Sequence, residues 1–489
     1  MVLPEEAEPP DEQAASDRAD ATKTVTSRSA LVLMAQCYEG LASSTTTERR
    51  RRGLALAAHH TLIGGRRMLR DSNAGRALGD NAGRVRRWRF TAGMGAVVVA
   101  LATLAVGAGP AVAAGRLAHK AAVPGSLNAV ACTSSTSCIA VGSYGSSGAT
   151  LTLAEAWNGT AWTVQPTPNP SGGSNSTLAG LSCGAAGSCV AVGGYYNGHG
   201  DALLAETWDG TSWTIQTVPL PAGGLGGSLV GVSCSSASSC IAVGSYADSS
   251  NTNQPLAEAW NGSNFTPQTV PLPAMATTST FDAVSCSPSP SVDCEAVGWN
   301  FLSGYGEIAM TLAEGWDGTS WTVQNTPIPN NASGGSYPMG ISCGSPDACT
   351  SVGEADNGSG ELSDGWAQVW NGTSWSNQTT ANPTGSIDSI LSAVSCSASP
   401  STDCTAVGYY SNGSTFASFA EAWKGTKVKV QKTPEPKGST SGGLDGVSCS
   451  SPPGTCTAVG SVSNSSGVGV TLAEGFNGRK WMVQKTPKP

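Results

Sequence analysis

From about residue 126 to the C-terminus, apolar and β-branched residues occur in short runs separated by turn residues. In the first stretch these runs are 130–132, 138–142, 151–157 and 162–165, with Ser, Thr, Asn and Gly between them. Short runs bounded in this way predict four β-strands. No 3.6-residue helical period is found in this region, so a solenoid of helix pairs is set aside.

The four-strand pattern occurs seven times. Each copy has a cysteine at the end of its first strand, and the spacings between these cysteines are 51, 51, 52, 57, 53 and 53 residues. A fixed period of this length is typical of a propeller or solenoid. We therefore predict an all-β fold, a seven-bladed β-propeller of four-stranded antiparallel blades over residues 121–489. The repeats lie near 126–177, 178–228, 229–280, 281–337, 338–390, 391–443 and 444–489.

The repeat resembles the kelch repeat of kelch and galactose-oxidase-like propellers. Two features match: a glycine that closes the second strand, and an aromatic pair that brackets the hairpin of the third and fourth strands. An Asn-Gly or Asp-Gly turn joins those strands in six copies, because these residues tolerate positive φ. The resemblance covers about three quarters of the chain, and it implies the fold but no partner. It departs in lacking the usual double glycine except at Gly193-Gly194, and in adding a cysteine pair. The glycines are Gly142, Gly193, Gly244, Gly298, Gly353, Gly408 and Gly460, and the aromatic pairs are Trp157/Trp162, Trp208/Trp213, Trp260/Phe265, Trp316/Trp321 and Trp370/Trp375.

Fourteen of the fifteen cysteines form close pairs within the repeats, and Cys37 is left over. An even, regular set predicts disulfides and an oxidising compartment. Zinc is the competing interpretation, but zinc ligands are spaced by two to four residues and come in fours. We predict no metal site and no cofactor. The predicted disulfide cysteines are Cys132, Cys138, Cys183, Cys189, Cys234, Cys240, Cys286, Cys294, Cys343, Cys349, Cys396, Cys404, Cys449 and Cys456.

The repeat region is acidic. Residues 121–489 contain 23 Asp and Glu against nine Lys and Arg, and no Lys or Arg lies between Ala121 and Trp423. Nucleic-acid binding depends on cations that neutralise phosphates, and docking on an anionic membrane does so too. We expect neither, and we expect a monomer.

The N-terminal part predicts export. Residues 1–83 have the composition of a disordered segment. The alternative is that Met68 is the true start and residues 1–67 are not translated. In residues 84–115 a basic stretch precedes an apolar run, and Ala111-Val112-Ala113 follows as a small-residue cleavage pattern. This is a signal peptide or, if uncleaved, a membrane anchor. We expect a secreted protein or one on the outer face of the membrane.

Residues that recur in every repeat are expected to be structural. Glutamate occupies one position of the third strand in six copies, with Gln368 in the fifth, and a general acid or base needs only one such group. We predict that these glutamates bond to backbone or to a Trp indole N–H. The tryptophans should pack between blades. The glutamates are Glu155, Glu206, Glu258, Glu314, Glu421 and Glu474.

The variable loops between second and third strands are the candidate ligand-binding surface, because binding residues concentrate on loops held by a rigid scaffold. For any one tyrosine the alternative is that it covers its own blade's core. We predict a glycan- or protein-binding scaffold module. The alternatives are a polysaccharide hydrolase or lyase that uses loop acids, and a purely structural surface protein. The candidate binding residues are Tyr195, Tyr196, His199, Trp299, Phe301, Tyr305, Tyr409 and Tyr410, and the loop acids are Glu307, Glu354, Asp356, Glu361 and Asp364.

Overall fold

A computed structural model describes residues 123–287, 293–304, 308–329, 332–356, 363–397, 403–450 and 454–489. These residues form 28 strands and no helix. The strands are β1 Gly125–Ser134, β2 Ser137–Ser146, β3 Ala149–Trp157, β4 Trp162–Gln165, β5 Ser174–Ala185, β6 Ser188–Tyr196, β7 Asp201–Trp208, β8 Trp213–Gln216, β9 Gly226–Ser236, β10 Ser239–Ala247, β11 Asn253–Trp260, β12 Phe265–Pro267, β13 Ala276–Cys286, β14 Cys294–Leu302, β15 Ala309–Trp316, β16 Trp321–Gln324, β17 Gly335–Ser345, β18 Ala348–Asp356, β19 Ser363–Trp370, β20 Trp375–Gln378, β21 Asp388–Cys396, β22 Cys404–Ser411, β23 Phe416–Lys424, β24 Lys427–Lys432, β25 Ser441–Ser450, β26 Thr455–Ser463, β27 Gly469–Phe476 and β28 Trp481–Gln484.

Each set of four consecutive strands pairs in chain order as an antiparallel meander, and we call these sets units 1 to 7. Units 4 and 5 are linked into one eight-stranded sheet by a single parallel bridge between Ala309 and Gly335. The other five units are separate four-stranded sheets. Repeated four-stranded antiparallel sheets of this kind are the architecture of a β-propeller. The all-β prediction is confirmed for the described residues.

The predicted strands match the observed ones best at the outer edge. The fourth strand of unit 1 is Trp162–Gln165, as predicted, whereas the first extends over Gly125–Ser134 rather than 130–132 alone. First strands also start before the predicted repeat boundaries, for example β5 at Ser174 rather than 178. Many of the first strands carry Gly, Ser or Asn near their starts. Gly and Asn are uncommon in strands, so the sequence does not indicate that these strands begin there.

A β-bulge interrupts the first strand of every unit at the same point. In unit 3, Leu229 pairs with Gly244 while Gly231 pairs with Val243, so Val230 is the extra residue. A Cβ on Gly244 would overlap the carbonyl oxygen of Ser228 and lie 2.9 Å from the Cα of Leu229. The seven repeated glycines were predicted to close the second strands but lie inside them, as Gly244 does in β10. Close backbone approach requires them, and backbone conformation does not, because none of the seven has a positive φ.

All seven predicted disulfides are present. Each joins two directly opposite residues of the hairpin between first and second strands, with Cα atoms 3.9 to 4.0 Å apart. Multiple disulfides are consistent with an extracellular location. Cys37 lies outside the described residues, as do the segments 1–83 and 84–115 on which the export prediction rests. Within the described ranges, the structure has no helix long and apolar enough to cross a membrane.

Neighbouring units are joined by two repeated hydrogen bonds. The backbone N–H of Cys234 donates to the Oγ of Ser182 in the preceding unit, at 3.0 Å. The indole Nε1–H of Trp213 donates to the Oε1 of Gln165 in the preceding unit, at 3.1 Å. Equivalent bonds join unit 7 to unit 1, from Cys132 N to Ser448 Oγ at 3.0 Å and from Trp162 Nε1 to Gln484 Oε1 at 2.8 Å.

These bonds correct the prediction that the repeated glutamates bond to the tryptophan indoles. In units 1, 2, 5 and 7 the indole N–H of the second aromatic bonds to a glutamine of the preceding unit's fourth strand and not to a repeated glutamate. The indole N–H of Trp321 in unit 4 has no partner among the described residues. The predicted packing role is confirmed, because the second aromatic of each pair is buried between units in the hydrophobic core. Unit 6 has Val428 in place of this aromatic, and there Trp423 is buried instead and donates to Thr379 O of unit 5 at 2.9 Å.

Candidate ligand-binding face

The two ends of each unit differ. At one end, which we call the hairpin end, the turn between first and second strands contacts the turn between third and fourth. A Cβ on Gly159 would lie 2.9 Å from the Cβ of Thr136 across these turns. Asn158 Oδ1 accepts the N–H groups of Thr160 and Ala161 at 3.0 and 2.9 Å, and Gly159 has a φ of 91°. This end is therefore a set of short turns closed by their own side chains.

The opposite end, the loop end, carries the connections between second and third strands and the linkers between units. Backbone hydrogen bonds tie the two together: Leu225 N–H donates to Ala247 O and Ile387 N–H donates to Ser411 O, both at 2.9 Å. A variable surface here is consequently held in a defined geometry by the sheets beneath it. The predicted binding residues that the structure describes belong to this end.

Unit 4 brings its predicted aromatics together. The rings of Trp299 and Phe301 have centroids 5.0 Å apart. Tyr337 of unit 5, which was not among the predicted residues, lies edge-on to Trp299 with centroids 5.9 Å apart. All three side chains are half-buried. The aromatic cluster of Trp299, Phe301 and Tyr337 thus spans the seam between units 4 and 5. Tyr305 lies outside the described residues.

Three buried polar atoms near this cluster lack partners. Thr280 pairs directly with Trp299 across β13 and β14 and lies on the same face as its ring, whereas Ser279 pairs with Asn300 on the opposite face. The Oγ1 of Thr280, the Oγ of Ser279 and the Oδ1 of Asn300 are buried and have no hydrogen-bond partner among the described residues. Asn300 stands where units 1, 2, 3 and 6 have a tyrosine, so unit 4 places an amide where those units place a ring.

Tyr409 and Tyr410 of unit 6 form separate contacts. Tyr409 lies edge-on to Phe416 at 5.9 Å, and its ring also contacts the backbone of Gly443 in unit 7. Tyr410 lies edge-on to Phe419 at 5.9 Å and packs against the hydrophobic core. Tyr410 therefore covers its unit's core, which is the alternative that the sequence left open.

The unit 2 residues divide in the same way. The ring of Tyr195 packs against Gly173 and the core of its unit. Tyr196 is 41% exposed, and His199 is exposed at a turn whose Asn197 Oδ1 accepts the His199 N–H at 2.9 Å. Because units 2 and 4 are not neighbours, the seven predicted residues that the structure describes do not form one cluster.

Tyr337 was missed because its own repeat position is unremarkable in the other units. That position, just before the leucine, phenylalanine or proline that precedes the bulge, is Ser126 in unit 1, Ser228 in unit 3 and Gly443 in unit 7. A comparison of the seven copies at this position would have singled out Tyr337. The prediction looked only at the loops after the second strand.

The loop acids described are held by local hydrogen bonds. Asp364 Oδ1 accepts from Asn382 Nδ2 at 3.0 Å, and Glu354 is buried, with its backbone oxygen accepting the indole N–H of Trp366 at 2.7 Å. Burial raises the pKa of the nearby Asp388, and the charge of Asp364 raises it further. The Asp356 carboxylate packs against Gly334. Glu307 and Glu361 lie outside the described residues.

Two cavities lie elsewhere. One of about 280 Å³ opens between units 6 and 7, beside Trp423, Lys427 and Phe476, where Val428 replaces the usual tryptophan. The other, of about 350 Å³, lies beside Tyr246 and Leu272 in unit 3. Neither is lined by the aromatic cluster. No group of three or more potential metal ligands occurs within the described residues.

No protein-family model matches the sequence, and no curated protein matches it. Among solved structures the chain is similar to the β-propeller domain of the Trilobed protease from Pyrococcus furiosus, with 8% identity, a TM-score of 0.42, and coverage of 73% of this chain and 97% of that one. AofleA from Arthrobotrys oligospora is similar at 14% identity and a TM-score of 0.38, covering 62% and 85%. Trypanosoma rangeli sialidase is similar at 10% identity and a TM-score of 0.37, covering 63% and 54%. The kelch resemblance stays a prediction, and the β-propeller architecture rests on the sheets themselves.

Proposed function

We propose that this chain is an exported, seven-bladed propeller that binds a neutral glycan at the loop end of units 4 and 5. The observation that carries the proposal is the half-buried aromatic cluster of Trp299, Phe301 and Tyr337 across one seam. Aromatic rings offer a large rigid contact area at little cost in conformational entropy. They suit the apolar faces of sugar rings.

Charge supports a neutral ligand. Units 1 to 5 contain no Lys or Arg, so this face has no cation with which to pair a phosphate, sulfate or carboxylate. Of the buried polar groups nearby, the hydroxyl of Thr280 is on the same face of the sheet as the rings, since Thr280 pairs directly with Trp299. It is uncharged, as a site for a neutral ligand requires. A basic protein partner would use the acids of unit 5 instead, and it is the competing outcome of the test.

The experiment is retention of the secreted protein on insoluble plant, chitinous and bacterial wall polysaccharides, together with a glycan array. Trp299→Ala should lower affinity for the retained polymer by at least about tenfold, as expected of a central aromatic contact. Tyr337→Ala should act in the same direction. The matched control is Tyr196→Ala, an exposed ring in unit 2 that should leave retention unchanged.

Each variant is compared with the wild type by thermal unfolding, so that a loss of fold is separated from a loss of contact. Retention that is equal for Trp299→Ala and wild type would remove this face from consideration. Product release from the bound polymer would support the hydrolase alternative, and Glu354→Gln with Asp356→Asn should then abolish it.

A further inference from the structure

The repeated glutamates form the most unusual feature of the interior. They occupy one position of the third strand in six units, and all are 0 to 1% exposed. Both carboxyl oxygens of five of them have no hydrogen-bond partner among the described residues. These five are Glu155, Glu206, Glu258, Glu314 and Glu474.

The surroundings are unfavourable for a charged carboxylate. Glu155 pairs with Ala140 on one side and with Val164 on the other. Glu206 pairs in the same way with Ala191 and Ile215. Burial raises the pKa of each of the five to about 8. A buried ion without a partner is costly, and the group binds a proton instead.

Unit 5 shows what this position faces. Its residue there is Gln368, whose Nε2 donates to the carbonyl oxygen of Pro327 in unit 4 at 2.6 Å and to Asn377 Oδ1 at 3.0 Å. Gln368 is flanked by polar neighbours, Ser351 and Asn377, where the glutamates have apolar ones. The position therefore presents a donor to the linker of the preceding unit.

Proline recurs at the point equivalent to Pro327, three residues after the glutamine that ends the fourth strand. Proline has no N–H, so it offers the facing side chain a carbonyl oxygen and nothing else. Unit 5 is the exception. It has Ala381 at this point, whose N–H donates to Glu421 Oε1 at 3.1 Å, so the glutamate that faces a residue other than proline accepts a hydrogen bond there. The prolines that face the five glutamates by repeat equivalence are Pro487, Pro168, Pro219, Pro271 and Pro434.

We propose that these five glutamates are uncharged acids whose O–H groups donate to the proline carbonyl of the preceding unit. Each of these five seams then contains a hydrogen bond that exists only while the glutamate is protonated. The seam between units 7 and 1 is one of them, through Glu155 and Pro487. The device makes the ring strongest in acid. Rising pH removes the donor and leaves a buried carboxylate facing a carbonyl oxygen.

The sign of the pH dependence follows from linkage. The pKa of each group is about 8 in the folded protein and 4.5 for an exposed glutamate, so its contribution to stability is fully present below about pH 4.5. Between these values the unfolded chain releases a proton that the folded chain keeps, and stability is lost as pH rises through 8. The other charged group that acts on any of the five is Glu435, which raises the pKa of Glu474 further.

The test compares wild type with Glu206→Gln and with the fivefold Glu→Gln variant, by denaturant unfolding from pH 4.5 to 9. For wild type, each acid should increase the unfolding equilibrium constant by up to about tenfold per pH unit in this window. Glu206→Gln should remove one such factor, and the fivefold variant should remove five. Asp209→Asn is the control, because hydrogen bonds from Thr211 and Ser212 lower the pKa of the exposed Asp209 to about 2.

Infrared spectroscopy of glutamate labelled with ¹³C at its side-chain carboxyl gives a readout that does not depend on stability. At pH 6 the folded wild type should show the band of protonated carboxylic acid, and Glu206→Gln should lower it by the share of one residue. Burial also raises the pKa of Glu421 to about 8 and that of Glu295 to about 7, so these two contribute to the same band. Carboxylate bands alone at pH 6, or equal pH profiles for wild type and Glu206→Gln, would overturn the proposal. A fivefold variant that failed to fold would leave both of these measurements intact.

Discussion

Trp162 of unit 1 donates its indole N–H to Gln484 Oε1 of unit 7, although 322 residues separate them along the chain. The same bond joins Trp213 to Gln165, Trp375 to Gln324 and Trp481 to Gln431. No strand of one unit completes the sheet of another at this seam. The first and last units are therefore joined by the same side-chain hydrogen bond as three of the internal seams.

Replacing this donor should weaken the closing seam. We expect Trp162→Phe to lower the free energy of unfolding by about 1 kcal/mol, because the ring is kept and one hydrogen bond is lost. Trp213→Phe is the matched control at an internal seam and should cost the same, and unit 3 has Phe265 at this position naturally. Denaturant unfolding of both variants checks this. A cost at Trp213 with none at Trp162 would argue against a closed ring.

The serine before the first cysteine of six units allows the hydrogen bond between neighbouring units to be removed in one place and added in another. Ser182 Oγ accepts the N–H of Cys234, but unit 1 has Ala131 at that position. We expect Ser182→Ala to destabilise by about 1 kcal/mol and Ala131→Ser to stabilise by a similar amount, by supplying an acceptor for Cys183. Thermal unfolding of the two variants measures opposite shifts. Shifts of the same sign would contradict the assignment.

The glycine inside the second strand, next to the bulge of the first, should not tolerate a methyl group. In Gly244→Ala the new Cβ would overlap the carbonyl oxygen of Ser228, which is backbone and cannot move aside. We expect a loss of about 3 kcal/mol, or failure to be secreted. Gly200→Ala is the control, since no atom lies within 4 Å of its Cβ position, and it should change stability by less than about 0.5 kcal/mol.

Removing one disulfide should cost about 2 kcal/mol, the loop-closure value for a loop of roughly seven residues. We expect this of the double variant Cys234→Ala with Cys240→Ala. A second removal in a distant unit should add the same amount, because the two sites share no partner. Intact mass spectrometry of the secreted protein should show that all 14 thiol hydrogens of the repeat cysteines are absent, and urea unfolding measures the cost. Free thiols in the native protein would contradict the pairing.

Features internal to one repeat could be predicted from the sequence. The strands Trp162–Gln165 and the pair Cys132–Cys138 depend on local turn chemistry and spacing, and both are found as expected. Contacts between repeats could not. The indole of Trp213 bonds to Gln165 in the neighbouring unit, and nothing within one copy indicates which neighbour's side chain lies opposite.

The candidate site was predicted in part for the same reason. Trp299 and Phe301 lie on one strand, and their proximity follows from their spacing of two. Tyr337 reaches the same cluster from another unit. Tyr195 and Tyr410 are residues of a type common in binding surfaces, but their rings pack against the hydrophobic core. Alternate residues of a strand point to opposite faces, so adjacent tyrosines such as Tyr409 and Tyr410 have different surroundings.

Each disulfide joins cysteines only six to eight residues apart, within a single hairpin. Fourteen thiols could in principle pair in a very large number of ways. A cysteine that meets its partner within one turn needs no distant part of the chain, so each bond can form as soon as its own hairpin has folded in an oxidising environment. Oxidation can then follow the order of synthesis, unit by unit, and the ring closes around sheets that are already covalently fastened.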